Sequence, residues 1–330
     1  MYSFFIGIDI SKDFFDVSYV LFGKVFYLDR FDNCDSGFLA MVQRLKQITN
    51  MDLTNWFICF ENTGVYSKAL SAWLYDSGIT FKEENPIQIH RSLGLKRGKN
   101  DKADSKAIAM YCYEKRDSIE ATKPCKPVIL KLKKLILRRD LLVRKRTALK
   151  TSFSMQKSIL DESLLELFDN QTQQLTLLLD KQVKEIETQI ELVKLEDKSV
   201  HRNDKLIRSV VGIGPIVSAF TLAYTENFER INDPRKFASY MGIAPFENSS
   251  GNFTGKTKVS HLANKKLKSI FSNAAYSAIN HDPQIGHYYH RKLNEGKVSG
   301  CVVNAVKNKL VQRIYSVVKR QTPYVKLNYI

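Results

Sequence analysis

Four carboxylates stand at positions from which they could act together. Asp9 sits near the end of an apolar run, Phe4-Phe5-Ile6-Gly7-Ile8-Asp9-Ile10. Between two isoleucines in a strand, its side chain must leave the face opposite to theirs. Glu61 closes a second apolar run, Trp56 to Phe60, just before Asn62-Thr63-Gly64. Asp101 and Asp104, in Lys99-Asn100-Asp101-Lys102-Ala103-Asp104, are three apart and share one face of a helix. Acids gathered at one edge of a sheet would repel one another and be partly desolvated, which is tolerable when cations neutralise them. Hard oxygen donors of this kind suit Mg²⁺ or Mn²⁺. A pair of such ions can stabilise both the attacking and the leaving oxygen of a phosphoryl displacement. Taken singly, each acid also fits a structural role: Asp9 a turn, Glu61 a cap, Asp101 and Asp104 a helix N-terminus.

The elements that must carry these acids can be read from period and punctuation. Residues 4–10, 14–21 and 24–30 are short β-rich runs separated by turn residues, the pattern of an antiparallel meander. Ser36 to Thr49 has helical spacing, with Asp35 or Ser36 as its cap. Trp56 to Phe60 reads as a buried central strand, followed by a helix over about Val65 to Tyr75, a strand at Ile79 to Lys82 and a helix over residues 101–116. The order βββαβαβα is that of an RNase H-like fold, which would bring the four acids to one sheet edge. From Pro127 to about Lys198 the chain is wholly helical. Leu179, Val183, Ile186, Ile190 and Val193 step by 4, 3, 4 and 3, a short heptad seam that serves an antiparallel hairpin and an intermolecular coiled coil equally. Beyond Leu206, Val211-Gly212-Ile213-Gly214-Pro215 followed by an apolar helix has the form of a helix-hairpin-helix element, in which glycines let backbone amides approach a DNA phosphate. A tight helix–helix turn would use the same residues. A turn-rich, partly strand-like stretch, Ala244 to Ser260, leads into two further helices. The expected class is therefore α/β plus α: an RNase H-like domain over residues 1–126, a helical arm over 127–200 and a mainly helical domain over 201–330.

Charge points to the partner. The chain of 330 residues carries a net charge of +17, and its distribution is uneven. Lys and Arg outnumber Asp and Glu by 19 to 6 in residues 91–150 and by 14 to 2 in residues 251–330, while the stretches 1–90 and 151–250 are mildly acidic. Two basic blocks of this kind suit a polyanion, nucleic acid above all. Within the second block Lys256, Lys258, Lys265 and Lys266 are candidate nucleic-acid contacts, together with Gly212 and Gly214. The five cysteines are far apart and form no CxxC pair, which argues against a disulfide framework and against a zinc site. No run reaches the length of a spanning helix and Met1 to Asp9 lacks the pattern of a signal peptide, so a cytoplasmic protein with no membrane partner is expected. His281, His287 and His290 lack Cys or carboxylate companions and are expected to face solvent or DNA rather than a metal. Tyr288 and Tyr289, beside His290-Arg291-Lys292, mix aromatics with cations as nucleic-acid surfaces do, although helix packing explains the tyrosines as easily.

Three segments carry a further signal. Ile6-Gly7-Ile8-Asp9-Ile10-Ser11-Lys12, Phe60-Glu61-Asn62-Thr63-Gly64-Val65-Tyr66 and Lys99-Asn100-Asp101-Lys102-Ala103-Asp104-Ser105-Lys106 resemble the three acidic motifs of the insertion-sequence transposases related to the Piv and MooV invertases. The likeness continues through Gly212-Ile213-Gly214-Pro215, Phe237-Ala238-Ser239-Tyr240-Met241-Gly242-Ile243-Ala244-Pro245 and Asn248-Ser249-Ser250-Gly251, which resemble the family's C-terminal transposase domain. The resemblance implies a RuvC-like DEDD domain binding Mg²⁺ through Asp9, Glu61, Asp101 and Asp104, a helical arm, and a serine that attacks DNA phosphate to give a covalent intermediate. The family pattern has serine directly before glycine, which selects Ser250, with Ser249 as the alternative; by composition alone Asn248-Ser249-Ser250-Gly251-Asn252 is a turn. Lys256 and Lys258 stand close enough in sequence to help activate the hydroxyl. A structured bridge RNA as guide, donor and target DNA as substrates, and dimers assembling into a tetramer are likewise what the resemblance implies. Two other readings remain beside it: a metal-dependent nuclease on branched DNA in which Ser250 is structural, and a non-catalytic nucleic-acid-binding protein.

Overall fold

In a computed structural model of the chain, described for residues 2–92, 100–123, 125–250, 253–259 and 263–326, two compact units meet after Pro124. Both are built as the hydrophobic patterning requires, a mixed sheet with helices in the first and an almost wholly helical body in the second.

The first unit is organised on strands β1 (Phe4–Ile10), β2 (Phe14–Leu21), β3 (Lys24–Asp32), β4 (Trp56–Glu61) and β5 (Phe81–Glu84), in the spatial order β3-β2-β1-β4-β5. The meander β1–β2–β3 is antiparallel, whereas β4 and β5 run parallel to β1. Helices α1 (Asp35–Ile48) and α2 (Lys68–Asp76) cover one face; Phe4, Ile6, Ile8, Phe15, Ile58 and Phe60 meet Phe38, Met41, Leu45, Leu70 and Leu74 there. Two more helices follow, α3 (Pro86–Ser92) and α4 (Asp101–Glu114), and Ile89, Ile108, Ala109 and Cys112 pack with Phe5, Val20, Phe57 and Cys59 on the other face. Because side chains alternate along a strand, the odd-numbered positions of β1 and β4 turn toward α4, and Asp9 and Glu61 with them.

α4 approaches the sheet unusually closely. A Cβ on Gly7 would stand 2.1 Å from the backbone nitrogen of Ala109 and 2.6 Å from the carbonyl oxygen of Ser105. Opposite Gly7 on β2 is Ser18, whose hydroxyl makes a buried 2.8 Å hydrogen bond with that of Ser105. Small residues on both sides of this seam lower the helix onto the strands.

Several boundaries differ from expectation. Cys34, not Asp35 or Ser36, occupies the cap of α1 and makes no side-chain cap bond; Asp35 is the first helical residue, where its charge meets the helix dipole. α2 and β5 begin later than their apolar runs suggest, at Lys68 and Phe81. α3 escapes detection because it is short and buries only Ile89, which gives no period to read.

In the second unit α5 (Pro127–Gln156) and α6 (Glu162–Leu195) fold back on each other as a hairpin, tied by ion pairs Arg139–Glu187 at 2.6 Å and Arg146–Asp180. Val183, Ile190 and Val193 of the heptad seam are buried within this same chain, and Leu179 and Ile186 are half-buried. There follow α7 (Lys198–Arg208), α8 (Pro215–Thr225), α9 (Pro234–Tyr240), strands β6 (Pro245–Ser250) and β7 (Phe253–Val259), α10 (Lys265–His281), α11 (Pro283–Asn294) and α12 (Ser299–Arg320). Phe220, Phe237, Phe271, Leu310 and Ile314 centre one core that also receives Ile129, Leu132 and Ile136 of α5. Inside it, the Lys194 ammonium is 2.9 Å from Asp204, which also accepts a 2.6 Å bond from Ser218. All five cysteines are free: Cys59 and Cys112 are buried, Cys125 is half-buried, and Cys34 and Cys301 are exposed and so are not packing residues. Among the described residues no helix is long and apolar enough to cross a membrane.

Candidate functional site

The acids come together where β1, β4 and the start of α4 meet. β1 and β4 are in parallel register with Ile8 beside Phe60, so Asp9 and Glu61 are the next residues on adjacent strands. α4 opens with Asn100, whose side chain accepts from the Lys102 amide at 3.1 Å, placing Asp101 and Asp104 in the first turn of a helix already pressed against β1. The consequence is electrostatic. Burial, followed by the charges of Asp104, Glu61, Asp101 and Asp16, pushes the Asp9 carboxyl up from 3.8 to about 7.

Asp16 is the member of this cluster that the sequence did not disclose. It lies directly across from Asp9 in the β1–β2 ladder and is almost fully buried. Tyr27 donates to it at 2.7 Å, and Arg30, its partner on β3, donates from Nε at 3.1 Å and from Nη2 at 2.8 Å. The same Nη2 reaches Asp101 at 3.1 Å, and the guanidinium lies 3.9 Å above the Phe14 ring. Burial and the bond to Asp16 raise the Tyr27 phenol, and the bond to Asp16 raises the Arg30 guanidinium. Asp16 and Arg30 thus form a hydrogen-bonded pair whose guanidinium also holds Asp101. On the other side, His90 Nε2 of α3 stands 3.8 Å from Glu61. The one sequence clue to Asp16 was its two-residue spacing from Ser18, which puts both on the helix-covered face.

The donor set fits a hard divalent ion: Asp9, Glu61, Asp101 and Asp104 offer only carboxylate oxygens, and their mutual repulsion is what such a charge relieves. Among the described residues no three His, Cys, Asp or Glu side chains are drawn tightly enough to clasp a metal by themselves. With Arg30 on Asp101 and His90 beside Glu61, the acids converge without closing.

The serines lie in the other unit. β6 pairs antiparallel with β7, Ser249 opposite Thr254 and Ser250 opposite Phe253, so Ser250 is the last residue of a strand; Gly251 and Asn252 fall outside the described residues. Lys256 and Lys258 are carried by β7. Lys265 and Lys266 open α10, where Asn264 caps the helix by accepting from the Leu267 amide at 3.1 Å. Lys265 is exposed, while Lys266 is engaged by Asp140 of α5. Gly212 and Gly214 lie in the turn between α7 and α8. Gly212 has φ +91°, and a Cβ there would come within 2.7 Å of the Ala274 carbonyl of α10. The Cα of Gly212 is thus packed closely on α10, whereas Gly214 caps α8 with open space around it. His281, His287 and His290 are all exposed.

Carboxylates clustered on a mixed sheet and a basic stretch in a helical body suit an enzyme that works on the phosphates of DNA. Comparison with known proteins bears this out: residues 6–163 match a transposase domain of the DEDD type found in IS110 elements, and residues 204–290 match the "Transposase IS116/IS110/IS902 family" domain. The chain thus carries transposase domains of the IS110/IS116/IS902 type in both of its units. The DEDD domain implies an RNase H-like fold, with which the sheet agrees, and dependence on a divalent ion, typically Mg²⁺. The chain is 25% identical to the pilin gene-inverting protein of Moraxella bovis over 331 aligned positions, 98% of each chain. The corresponding protein of Moraxella lacunata is as similar. A shorter match, 28% over 121 positions, 36% of this chain and 29% of the other, is to the insertion element IS116 uncharacterized 44.8 kDa protein of Streptomyces clavuligerus.

Proposed function

We propose that this transposase cuts and exchanges DNA strands to move an insertion element, with Ser250 as nucleophile and Asp9, Glu61, Asp101 and Asp104 as the metal-binding acids. The observation that supports the acidic half is the gathering of Glu61, Asp101 and Asp104 around the half-buried Asp9, where burial first and then their charges raise its carboxyl to about 7. A divalent ion held by these carboxylates would supply positive charge for the oxygens of a reacting phosphate. The remaining work belongs to the chain. The Ser250 hydroxyl attacks phosphorus; its Oγ–P bond forms as the bond from phosphorus to a deoxyribose oxygen breaks, and that oxygen takes up the proton the serine loses. Attack on the serine–phosphate linkage by a hydroxyl of another strand reverses these steps and completes the exchange. Lys256 and Lys258, on the strand paired with that of Ser250, lower the cost of deprotonating the serine.

The two domain matches support donor and target DNA as substrates. The inversion named for the Moraxella relatives supports recombination between defined sites. A structured bridge RNA as guide, and dimers that assemble into tetramers, complete the reading. The place of Ser250 as a paired residue at the end of a strand favours a second reading, a metal-dependent nuclease on branched DNA with Ser250 structural. Ser250→Ala, Ser249→Ala and Asp9→Ala, assayed separately for strand exchange and for a covalent protein–DNA adduct, decide between them. Loss of the adduct in Ser250→Ala alone of the two serine variants is expected. Normal exchange by Ser250→Ala would remove the serine mechanism, and a purified protein that retains no discrete RNA at moderate salt would remove the guide.

A further inference from the structure

The second unit contains a groove to which the function proposed above assigns no role. One end is a cavity of about 480 Å³ between α11 and α12, walled by Tyr288, Arg291, Lys309 and Arg313. A second hollow of about 510 Å³ continues from it, because Asn308 and Gln312 line both, and runs past Arg235 to Pro245. Pro245 is the first residue of β6, the strand that ends in Ser250.

The lining has the chemistry of a single-strand channel. The Lys309 and Arg291 cations lie over the Tyr288 ring, 4.4 Å and 5.9 Å from its centre, so a base that stacks there takes the place of a cation and brings its flanking phosphates within that cation's reach. Lys309 and Arg235 have no carboxylate partner among the described residues, and Arg291 has only the exposed Glu295 at 3.7 Å. Arg313 differs: Asp282 holds it at 2.7 Å and Tyr324 covers it at 4.7 Å, making it a fixed wall rather than a free charge. Along the floor, the exposed Asn308 and Gln312 present amides, which donate to and accept from base edges alike. Cations at the margins, amides below and one aromatic face form the combination that binds an unpaired strand without strict sequence preference.

We propose that this groove binds single-stranded DNA next to the scissile phosphate, leading the strand from a stacking position on Tyr288 along α12 to the hairpin of Ser250. DNA is assigned over RNA because the groove ends on the serine-bearing strand; in this the inference rests on the function proposed above.

Fluorescence anisotropy of the full-length protein with a labelled DNA oligonucleotide, over a series of salt concentrations, tests it. Each phosphate contact to a single strand contributes about 0.7 to the slope of log affinity against log salt. The variant Arg235→Ala/Arg291→Ala/Lys309→Ala should therefore lose about 2 from that slope and bind at least tenfold more weakly in moderate salt. Tyr288→Leu should lose roughly fivefold or more with its slope unchanged, since stacking carries no salt dependence. Lys319→Ala/Arg320→Ala, at the far end of α12, is the control for charge lost elsewhere, and thermal midpoints within a few degrees of the parent establish that each variant is folded. Equal loss by the control and the groove variant, or unchanged binding by Tyr288→Leu, would overturn the proposal. So would groove variants that weaken an RNA oligonucleotide but not the DNA one. Measuring the same series in a Ser250→Ala background keeps the two ideas apart: the groove effects persist there whether or not Ser250 forms the adduct.

Discussion

Replacing Asp9 with Asn should make the metal-free protein more stable at pH 8 and nearly insensitive to magnesium. Burial and then the charges of Asp104, Glu61, Asp101 and Asp16 raise the folded-state Asp9 carboxyl from 3.8 to about 7. The folded chain therefore holds this proton more tightly than the unfolded chain does. As pH rises above about 4 the unfolded chain releases it first, so stability falls progressively and levels off once pH has passed 7. A difference of about three units is worth about 4 kcal/mol. Asp9 is only half-buried, and solvent screening reduces the figure to about 2 kcal/mol. Asn keeps the shape and removes the charge. Urea unfolding in EDTA at pH 8 should accordingly show Asp9→Asn about 2 kcal/mol more stable than the parent, with the gap closing as pH is lowered toward 4. Millimolar MgCl₂ should raise the parent's midpoint, because an ion that binds only the folded state stabilises it, and should leave the variant almost unmoved. A variant less stable than the parent at pH 8 in EDTA, or an equal response of both proteins to MgCl₂, would refute the claim that crowded acids set the state of Asp9.

Two further outcomes follow from packing. Gly7→Ala sets a methyl 2.1 Å from the backbone of Ala109 and should cost at least about 3 kcal/mol in urea unfolding; a loss below about 1 kcal/mol would mean that α4 is free to lift from the sheet. Asp204→Ala removes the buried partner of Lys194 and of the Ser218 hydroxyl, leaving the ammonium only Glu191 at 2.7 Å, and should cost about 3 kcal/mol. Adding Lys194→Met to it should recover much of that loss, and failure to recover any would show that the charge left behind was not the cause.

Much of the first unit was legible because burial writes itself into period. Isoleucines at alternate positions of β1 and the closed apolar run of β4 predicted the strands, and alternation then fixed which face Asp9 shares with Glu61. What escaped had no period to write. α3 buries one residue, and the cap of α1 is a cysteine that makes no cap bond, so residue preference pointed to its neighbours. The heptad seam of α6 was visible but its partner was not, since a hairpin and a two-chain coil demand the same spacing; within the chain α5 packs along α6, with Arg139–Glu187 among the ion pairs between them. Likewise Gly212 has the same sequence signature whether a phosphate or a neighbouring helix needs the space, and only the fold shows the carbonyl of Ala274 standing where a side chain would be.

The site shows why Asp16 lay beyond the reach of patterning. One acid in Phe14-Phe15-Asp16-Val17-Ser18 looks like the solvent-facing half of an alternating strand, but that half is covered by α4. Its burial is tolerable only because Tyr27 and Arg30, on a different strand, supply the hydrogen bonds, a fact of register rather than of local sequence. The same register explains how the chain sustains a cluster of acids that works against folding. Gly7, Ser18, Ser105 and Ala109 let α4 sit in contact with β1 and β2, and the Ser18–Ser105 bond pins the helix along its length. Sliding α4 by one residue would break that bond and carry Asp101 away from Arg30. The seam that buries small residues and the edge that crowds carboxylates are thus one construction: close packing supplies the stability that offsets the repulsion around Asp9, and it fixes the distance at which that repulsion acts.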